Sequence, residues 1–364
     1  MPADLNLKYI LNKFKIEGNF IQAKELTSGH INDSFLVEVE NKNKQINYVL
    51  QKINSTVFSK PEFISHNIAT ISPTLQHFYK DYPDHYFIRI YPTKDNQYIF
   101  FDSEKTPWRL INYIPNSYSP LIPDSPELII EGSKEYALFQ KALINVDQKK
   151  IKCPIPNFHN LNFRFQEFNS ALEKNNNTRI KRAKKQISFA QSKKHYATEM
   201  EKLLNLIPTR ITHNDTKISN VLFDIDSKKA KAVIDLDTLM PGNLLWDFGD
   251  MARTFCSLSA EDEVHLESVH FHLDLFESLC KGYISELKDI MTKEEKDNIY
   301  FGVKYITFIM GLRFLTDYLN NDIYYKIQYF DHNLIRSKNQ FRLVSEIEKH
   351  EKEIKTIIEQ AIDN

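Results

Sequence analysis

The run Ile211-Thr-His-Asn-Asp-Thr-Lys-Ile-Ser-Asn220 places His213, Asp215, Lys217 and Asn220 within one turn-forming stretch. An apolar strand, a polar turn and a second apolar strand follow, and the second strand, Ala-Val-Ile234, ends at Asp235. Moving a phosphoryl group needs a base for the nucleophile's proton, a divalent metal bridging the phosphates, and cations to offset developing charge. Asp215 is the candidate base. Asn220 offers a neutral amide oxygen and Asp235 a carboxylate, and magnesium prefers such hard oxygen ligands. Lys217 stands two residues after Asp215, placed to neutralise a transferring phosphate, and His213 is expected to brace the loop by hydrogen bonding.

The whole pattern, His-x-Asp-x-Lys-x-x-Asn, a hairpin, then Asp, is the layout of a kinase catalytic loop and metal-binding acid. Asp247-Phe-Gly249 also spells the kinase metal motif, but it lies 32 residues beyond Asp215, whereas Asp235 lies 20 beyond, across a single hairpin. The metal is therefore assigned to Asp235. Asp247 and Asp250 are expected to cap a helix or brace a loop. Asp237 alternates with Asp235 and is left open as a further metal-side carboxylate.

Nucleotide contacts must come from elsewhere. Only 8 glycines are present, and neither Gly-x-Gly-x-x-Gly nor Gly-x4-Gly-Lys-Ser/Thr occurs, which excludes Rossmann and P-loop sites by pattern. Gly29, in Leu26-Thr-Ser-Gly-His-Ile-Asn-Asp-Ser-Phe35, sits at a strand-turn-strand where backbone amides can meet phosphate. The strand Tyr48-Val-Leu-Gln-Lys-Ile53 offers Gln51 or Lys52 as a phosphate contact, and the connector Leu110-Ile-Asn-Tyr-Ile-Pro115 offers Asn112 and Tyr113 to adenine. ATP and magnesium are the expected cofactors.

These residues need a frame. Strand-like segments at Phe35–Val39, Tyr48–Ile53, Tyr86–Tyr91, Gln97–Phe101 and Trp108–Tyr113 predict a small antiparallel sheet, with a helix from Pro61 to Tyr79 broken or kinked at Pro73. Beyond Pro115 helical periodicity dominates, with candidates at Pro126–Asn145, Asn162–Leu172, Arg179–Leu206, Ala260–Glu286, Lys293–Leu319 and Gln340–Ile362. The expectation is an α+β, bilobal, protein-kinase-like fold: a β-rich nucleotide-binding lobe over residues 1–112 and a mostly helical lobe over 113–364 carrying the catalytic loop and acceptor site. At 364 residues two lobes are the prior.

Composition narrows the class. With 47 basic against 48 acidic residues, the chain lacks the positive excess of a dedicated nucleic-acid binder. The run Arg179-Ile-Lys-Arg-Ala-Lys-Lys185 is expected to be a solvated helix face. The apolar stretch Ile299–Leu319 carries Lys304, Arg313 and Asp317 and is expected to be a buried helix, not a membrane span. The three cysteines make no disulfide or zinc pattern, which suits a cytoplasmic protein. His265, His270 and His272 do not share one helical face as metal ligands would. A monomer or weak dimer is expected, with no nucleic-acid or membrane partner.

The chain resembles the aminoglycoside phosphotransferase/choline kinase superfamily, and within it the N-acetylhexosamine 1-kinases. The matching segments include Gly29-His-Ile-Asn-Asp33, Val49-Leu-Gln-Lys-Ile-Asn54, Trp108-Arg-Leu with Tyr113-Ile-Pro115, His213-Asn-Asp-Thr-Lys217, Ile234-Asp-Leu-Asp-Thr-Leu-Met-Pro-Gly242, Asp247-Phe-Gly-Asp250 and Leu312-Arg-Phe-Leu-Thr-Asp-Tyr318. The resemblance implies transfer of the ATP γ-phosphate to the anomeric hydroxyl of N-acetylglucosamine or N-acetylgalactosamine. It also implies that His30, Thr238, Arg313 and Tyr324 line the sugar site. By a plainer reading Arg313 pairs with Asp317 one helical turn on, and Tyr324 belongs to the core. The rival acceptors are choline, ethanolamine, an aminoglycoside or another sugar, and the rival class is an inactive nucleotide-binding scaffold.

Overall fold

A two-residue turn starts the sheet. Lys42 and Asn43 both take positive φ (49° and 64°), the conformation whose twist suits a tight hairpin, so Asn41 and Lys44 pair directly. The computed structural model describes residues 3–26, 32–174 and 177–363. Strands β1 (Asn19–Leu26), β2 (Asp33–Asn41), β3 (Lys44–Lys52), β4 (Ile90–Tyr91), β5 (Phe100–Phe101) and β6 (Pro107–Asn112) form one antiparallel sheet, in the order β1-β2-β3-β6-β4, with β5 on β6. Alternation divides its faces. Val37, Val39, Tyr48, Leu50, Trp108 and Leu110 close over Leu7, Ile10 and Leu11 of helix α1 (Ala3–Leu11), while Ile53 and Ile111 join the main core with helix α2 (Pro61–Tyr79). Helix α2 continues through Pro73, so the proline does not break it.

After β6 two small ribbons carry the chemistry. Strand β7 (Ser117–Tyr118) pairs with β9 (Val221–Asp224), which pairs in turn with β10 (Ala230–Val233). Strand β8 (Arg210–Thr212) pairs with β11 (Met240–Gly242). The catalytic-loop run therefore begins where β8 ends, and Asp235 follows β10.

Helices supply the rest: α3 (Pro126–Leu143), α4 (Leu161–Lys174), α5 (Asn177–Arg182), α6 (Lys184–Ser192), α7 (His195–Leu203), α8 (Leu244–Phe255), α9 (Leu273–Leu287), α10 (Lys293–Asp297), α11 (Ile299–Leu319), α12 (His332–Lys349) and α13 (Glu351–Asp363). The single long helix expected at 179–206 is three short ones, and the one expected from Ala260 starts only at Leu273. Apolar periodicity survives such turns, so it cannot mark them. Two cations of the basic run enter ion pairs, Arg179 with Asp322 and Arg182 with Asp331, while Lys181, Lys184 and Lys185 are exposed, as a solvated helix face would have them.

Helix α11 is the spine of the helical part. It is long and apolar enough to cross a membrane, yet all of it except Lys304 and Arg313 is buried against α4, α8 and α12. Gly249 explains how close α8 comes: a Cβ there would lie 2.3 Å from the Gly302 carbonyl oxygen. The glycine of the Asp-Phe-Gly sequence is thus a helix-crossing residue. The kinase-like fold expected from the sequence, an antiparallel N-terminal sheet followed by a mostly helical C-terminal part, is the fold observed.

Candidate active site

The loop after β8 is pinned from beneath by one carboxylate. Asp247, in the first turn of α8, accepts from the His213 amide (2.9 Å), the Asn214 amide (2.7 Å) and the Gln140 side chain (2.9 Å). The Thr216 hydroxyl donates back to the Asp247 carbonyl at 2.6 Å. Burial pushes Asp247 up to about 6, against the amides, which favour its charged form. These contacts make Asp247 a loop brace. Gly242 presses on the same loop, since a Cβ there would meet Thr212 Oγ1 at 2.2 Å and Asn214 Oδ1 at 2.9 Å.

Above this base sit the groups singled out for chemistry. Lys217 Nζ lies 3.0 Å from Asp215 Oδ1. Burial works against the charge on both, but each stabilises the other: Asp215 is held below the usual carboxylate range and Lys217 above the usual lysine range. Asn220 donates its Nδ2 to the Asp215 carbonyl (2.8 Å) and carboxylate (3.2 Å), which turns its amide nitrogen toward Asp215 and leaves its Oδ1 without a partner among the described residues. His213 accepts from the Asp215 amide through Nδ1 (3.2 Å) and donates Nε2–H to the Ile234 carbonyl (2.8 Å). One imidazole thereby couples the peptide of the base to the residue before Asp235.

Asp235 adopts a left-handed conformation (φ 57°), uncommon outside glycine and a frequent mark of functional sites. No described residue gives its carboxylate a hydrogen bond or ion pair. Desolvation, then repulsion from Asp237 and Asp215, pushes it up to about 6, although one side of the residue is open to solvent. A carboxylate held among carboxylates, beside a free amide oxygen, is a donor set that suits a hard divalent cation. Among the described residues no group of three His, Cys, Asp or Glu is placed to hold a metal ion.

The sheet reaches this centre by a polar line. Gln51 donates to Ser34 Oγ (2.9 Å) and accepts from Arg109 Nε (2.8 Å), and the Arg109 guanidinium lies 2.5 Å from Asp237. Asn32 also donates to Asp237, at 2.6 Å. Asp237 is therefore bound to the sheet rather than free toward a metal. Lys52 differs from expectation. The pleat puts it on the face of Tyr48 and Leu50, opposite Gln51, and its ammonium lies 3.9 Å from Asp33. The buried cation turned toward the catalytic residues is Arg109, which sequence reading missed although a charge inside the apolar strand Trp108-Arg-Leu110 was its signal.

The remaining candidates divide by what their polar groups already do. Asn112 bridges the Phe87 carbonyl and the Arg89 amide, so its side chain secures β6. Tyr113 follows it in the connector with its side chain partly buried. Gly29 and His30 lie outside the described residues. Thr238 donates to the His213 carbonyl (2.7 Å), leaving only its lone pairs for a ligand.

Arg313 does not pair with Asp317. That carboxylate instead accepts from the Tyr324 and Tyr325 amides and Asn333, and so shapes the loop carrying Tyr324. The Arg313 guanidinium lies 4.6 Å from the Phe158 ring and 5.7 Å from Tyr324 and Tyr325, and its one polar contact among the described residues is the Met310 sulfur at 3.4 Å. No carboxylate of the described residues lies within ion-pair distance of it.

Fold and site define a kinase-like phosphotransferase. The chain belongs to the APH family, the phosphotransferase enzyme family, whose model matches residues 22–272. Among solved structures it is similar to a spectinomycin phosphotransferase bound to ADP and spectinomycin (12% identity, 97% of this chain and 100% of the other, TM-score 0.59). A microcompartment-associated aminopropanol kinase is comparable (13%, 96% and 98%, TM-score 0.59). So is an aminoglycoside phosphotransferase from Alicyclobacillus acidocaldarius (11%, 97% and 96%, TM-score 0.56). At such identities these likenesses speak for the fold.

Proposed function

We propose that this phosphotransferase moves the γ-phosphate of ATP to the anomeric hydroxyl of N-acetylglucosamine or N-acetylgalactosamine, giving the sugar 1-phosphate. Arg313 carries the reading. A guanidinium without a carboxylate, set among Phe158, Tyr324 and Tyr325, is a poor neighbour for a cationic acceptor such as an aminoglycoside, choline or aminopropanol. It suits a neutral polyol, which offers oxygens to the fork and apolar ring faces to the aromatic rings.

Asp215 takes the proton of the acceptor hydroxyl as its oxygen attacks the γ-phosphorus. Lys217, already beside Asp215, offsets charge on the transferring group, and neither residue needs to change protonation beforehand. Asn220 and Asp235 would hold the magnesium ion, which would supply positive charge against the phosphates. Arg109 fixes Asp237, and through it the short segment that aims Asp235. The nucleotide lies between a lobe of residues 1–112 and one of 113–364, in the cytoplasm, and the enzyme works as a monomer or weak dimer.

The test is a magnesium-ATP reaction with N-acetylglucosamine, N-acetylgalactosamine, choline, 1-amino-2-propanol and an aminoglycoside, read by phosphorus NMR. A new phosphate resonance coupled to the sugar H1 supports the proposal. Turnover with an amine acceptor alone overturns the acceptor while leaving the family standing.

A further inference from the structure

The peptide group joining Asn214 to Asp215 is gripped at both ends by an imidazole. Its N–H, from Asp215, donates to His213 Nδ1 at 3.2 Å, and its carbonyl, from Asn214, is met by His159 Nε2 at 3.1 Å. His213 belongs to the catalytic-loop pattern. His159 stands outside it, 56 residues before Asp215 and just ahead of α4. A carbonyl can only accept, so His159 carries its proton on Nε2, and its buried Nδ1 lone pair has no partner among the described residues.

What holds His159 makes the contact informative. Its carbonyl accepts from the Tyr305 hydroxyl (2.7 Å) on α11, and the same hydroxyl accepts from the Leu161 amide (3.2 Å). Arg164 grips the preceding Phe158 carbonyl through Nε (3.2 Å) and an Nη (3.0 Å). The Phe158 ring faces the Arg313 guanidinium, also on α11. The short segment 158–161 is thus fastened to the helix that bears Arg313, and it extends one donor to the backbone beside the base. Asn214 sits at a left-handed φ of 65°, a conformation asparagine tolerates, and its side chain is already tied to the Thr212 and Thr238 carbonyls (3.0 Å each), so what His159 adds is a hold on the backbone carbonyl itself.

We propose that His159 is a positioning residue for phosphoryl transfer. By fixing the Asn214 carbonyl it sets the direction in which Asp215 presents its carboxylate, in register with the Arg313 wall. The inference rests on the phosphotransferase reaction of the family and not on the identity of the acceptor.

Two substitutions separate this role from core filling. His159→Gln keeps a donor at the reach of Nε2, whereas His159→Asn is too short to meet the Asn214 carbonyl. Both replace the ring by an amide and are expected to lower the thermal midpoint to a similar extent. The Asn variant should lose about 30-fold or more in kcat with KM for ATP changed less than about twofold, and Gln should recover most of it. Equal kcat in the two variants, or losses that simply track the thermal midpoint, would overturn the role.

The kinetics use the panel acceptor that wild type phosphorylates fastest, or acceptor-free ATP hydrolysis if the panel fails. A wrong acceptor and a wrong role for His159 therefore give different results. Nitrogen-15 histidine spectra supply a check independent of turnover: His159 should appear as the Nε2–H tautomer, and an Nδ1–H tautomer contradicts the bond.

Discussion

Replacing Asp247 by asparagine exchanges one oxygen for an NH2 group at a residue that is 1% exposed, and it also removes a charge that burial disfavours, a relief that offsets part of the lost hydrogen bonding. In wild type, one carboxylate oxygen takes the Asn214 amide, and the other takes the His213 amide together with Gln140. The asparagine NH2 can face either side. Facing Asn214 it opposes a backbone N–H that cannot turn away; facing His213 it opposes another, even if Gln140 flips to offer its oxygen. Either way one buried amide loses its acceptor, which costs about 1–3 kcal/mol, and the surviving bonds lose the strength that a charged acceptor gives. With that relief set against them, the net loss is roughly 1–2 kcal/mol of stability on this reckoning. The orphaned amide lies one or two residues from Asp215, so kcat should also fall about tenfold or more. Urea unfolding with an unchanged m-value, together with steady-state kinetics across magnesium concentrations, reads both effects. A stability change under about 0.5 kcal/mol with near-normal kcat would refute the bracing argument. A variant of full stability whose magnesium requirement rises sharply would instead return the metal to Asp247.

Other consequences are narrower. Arg313→Ala should raise KM for the acceptor about tenfold or more with KM for ATP little changed, and Arg313→Lys should recover little, because an ammonium lacks the planar fork; recovery in the lysine variant would count against recognition by a fork. Gly242→Ala forces a methyl group against Thr212 and Asn214, and should cost about 1–3 kcal/mol in urea unfolding along with part of kcat; an unchanged variant would mean the loop yields freely. Burial, then the nearby Arg313, lowers the His159 pKa to about 3, below the value near 6.5 expected when unfolded. The unfolded chain therefore binds the extra proton between those values, so this residue's contribution to stability rises with pH across that window, by up to about 5 kcal/mol. His159→Gln should flatten that part of the pH–stability curve, and parallel curves for the two proteins would contradict it.

The catalytic loop could be read from sequence because its chemistry is local. Asp215, Lys217 and Asn220 come together within a single turn, and one hairpin brings Asp235 back to them, so spacing alone carries the arrangement. The bracing role of Asp247 could also be anticipated, since the chain distance disfavoured it as the metal acid. Arg109 was missed because its partner Asp237 is remote in sequence and strand pairing brings them together. Lys52 looked equivalent to Gln51 until the pleat turned them to opposite faces. Residues 260–272 have the apolar content of a helix without forming one, because scattered apolar residues such as Val269 and Phe271 serve the core from a loop. His159 carried no sequence signal, because its function depends on a single backbone carbonyl.

The account stands on Asp215 as the base of a centre completed by Lys217, Asn220 and Asp235. Its most direct test is Asp215→Asn, with kcat measured on the acceptor that wild type phosphorylates and ADP affinity measured by calorimetry. Turnover should fall at least about 100-fold, while ADP binding and the thermal midpoint stay near wild type, as expected when a general base is removed from an otherwise intact site. Near-normal turnover in a folded, nucleotide-binding variant would contradict it.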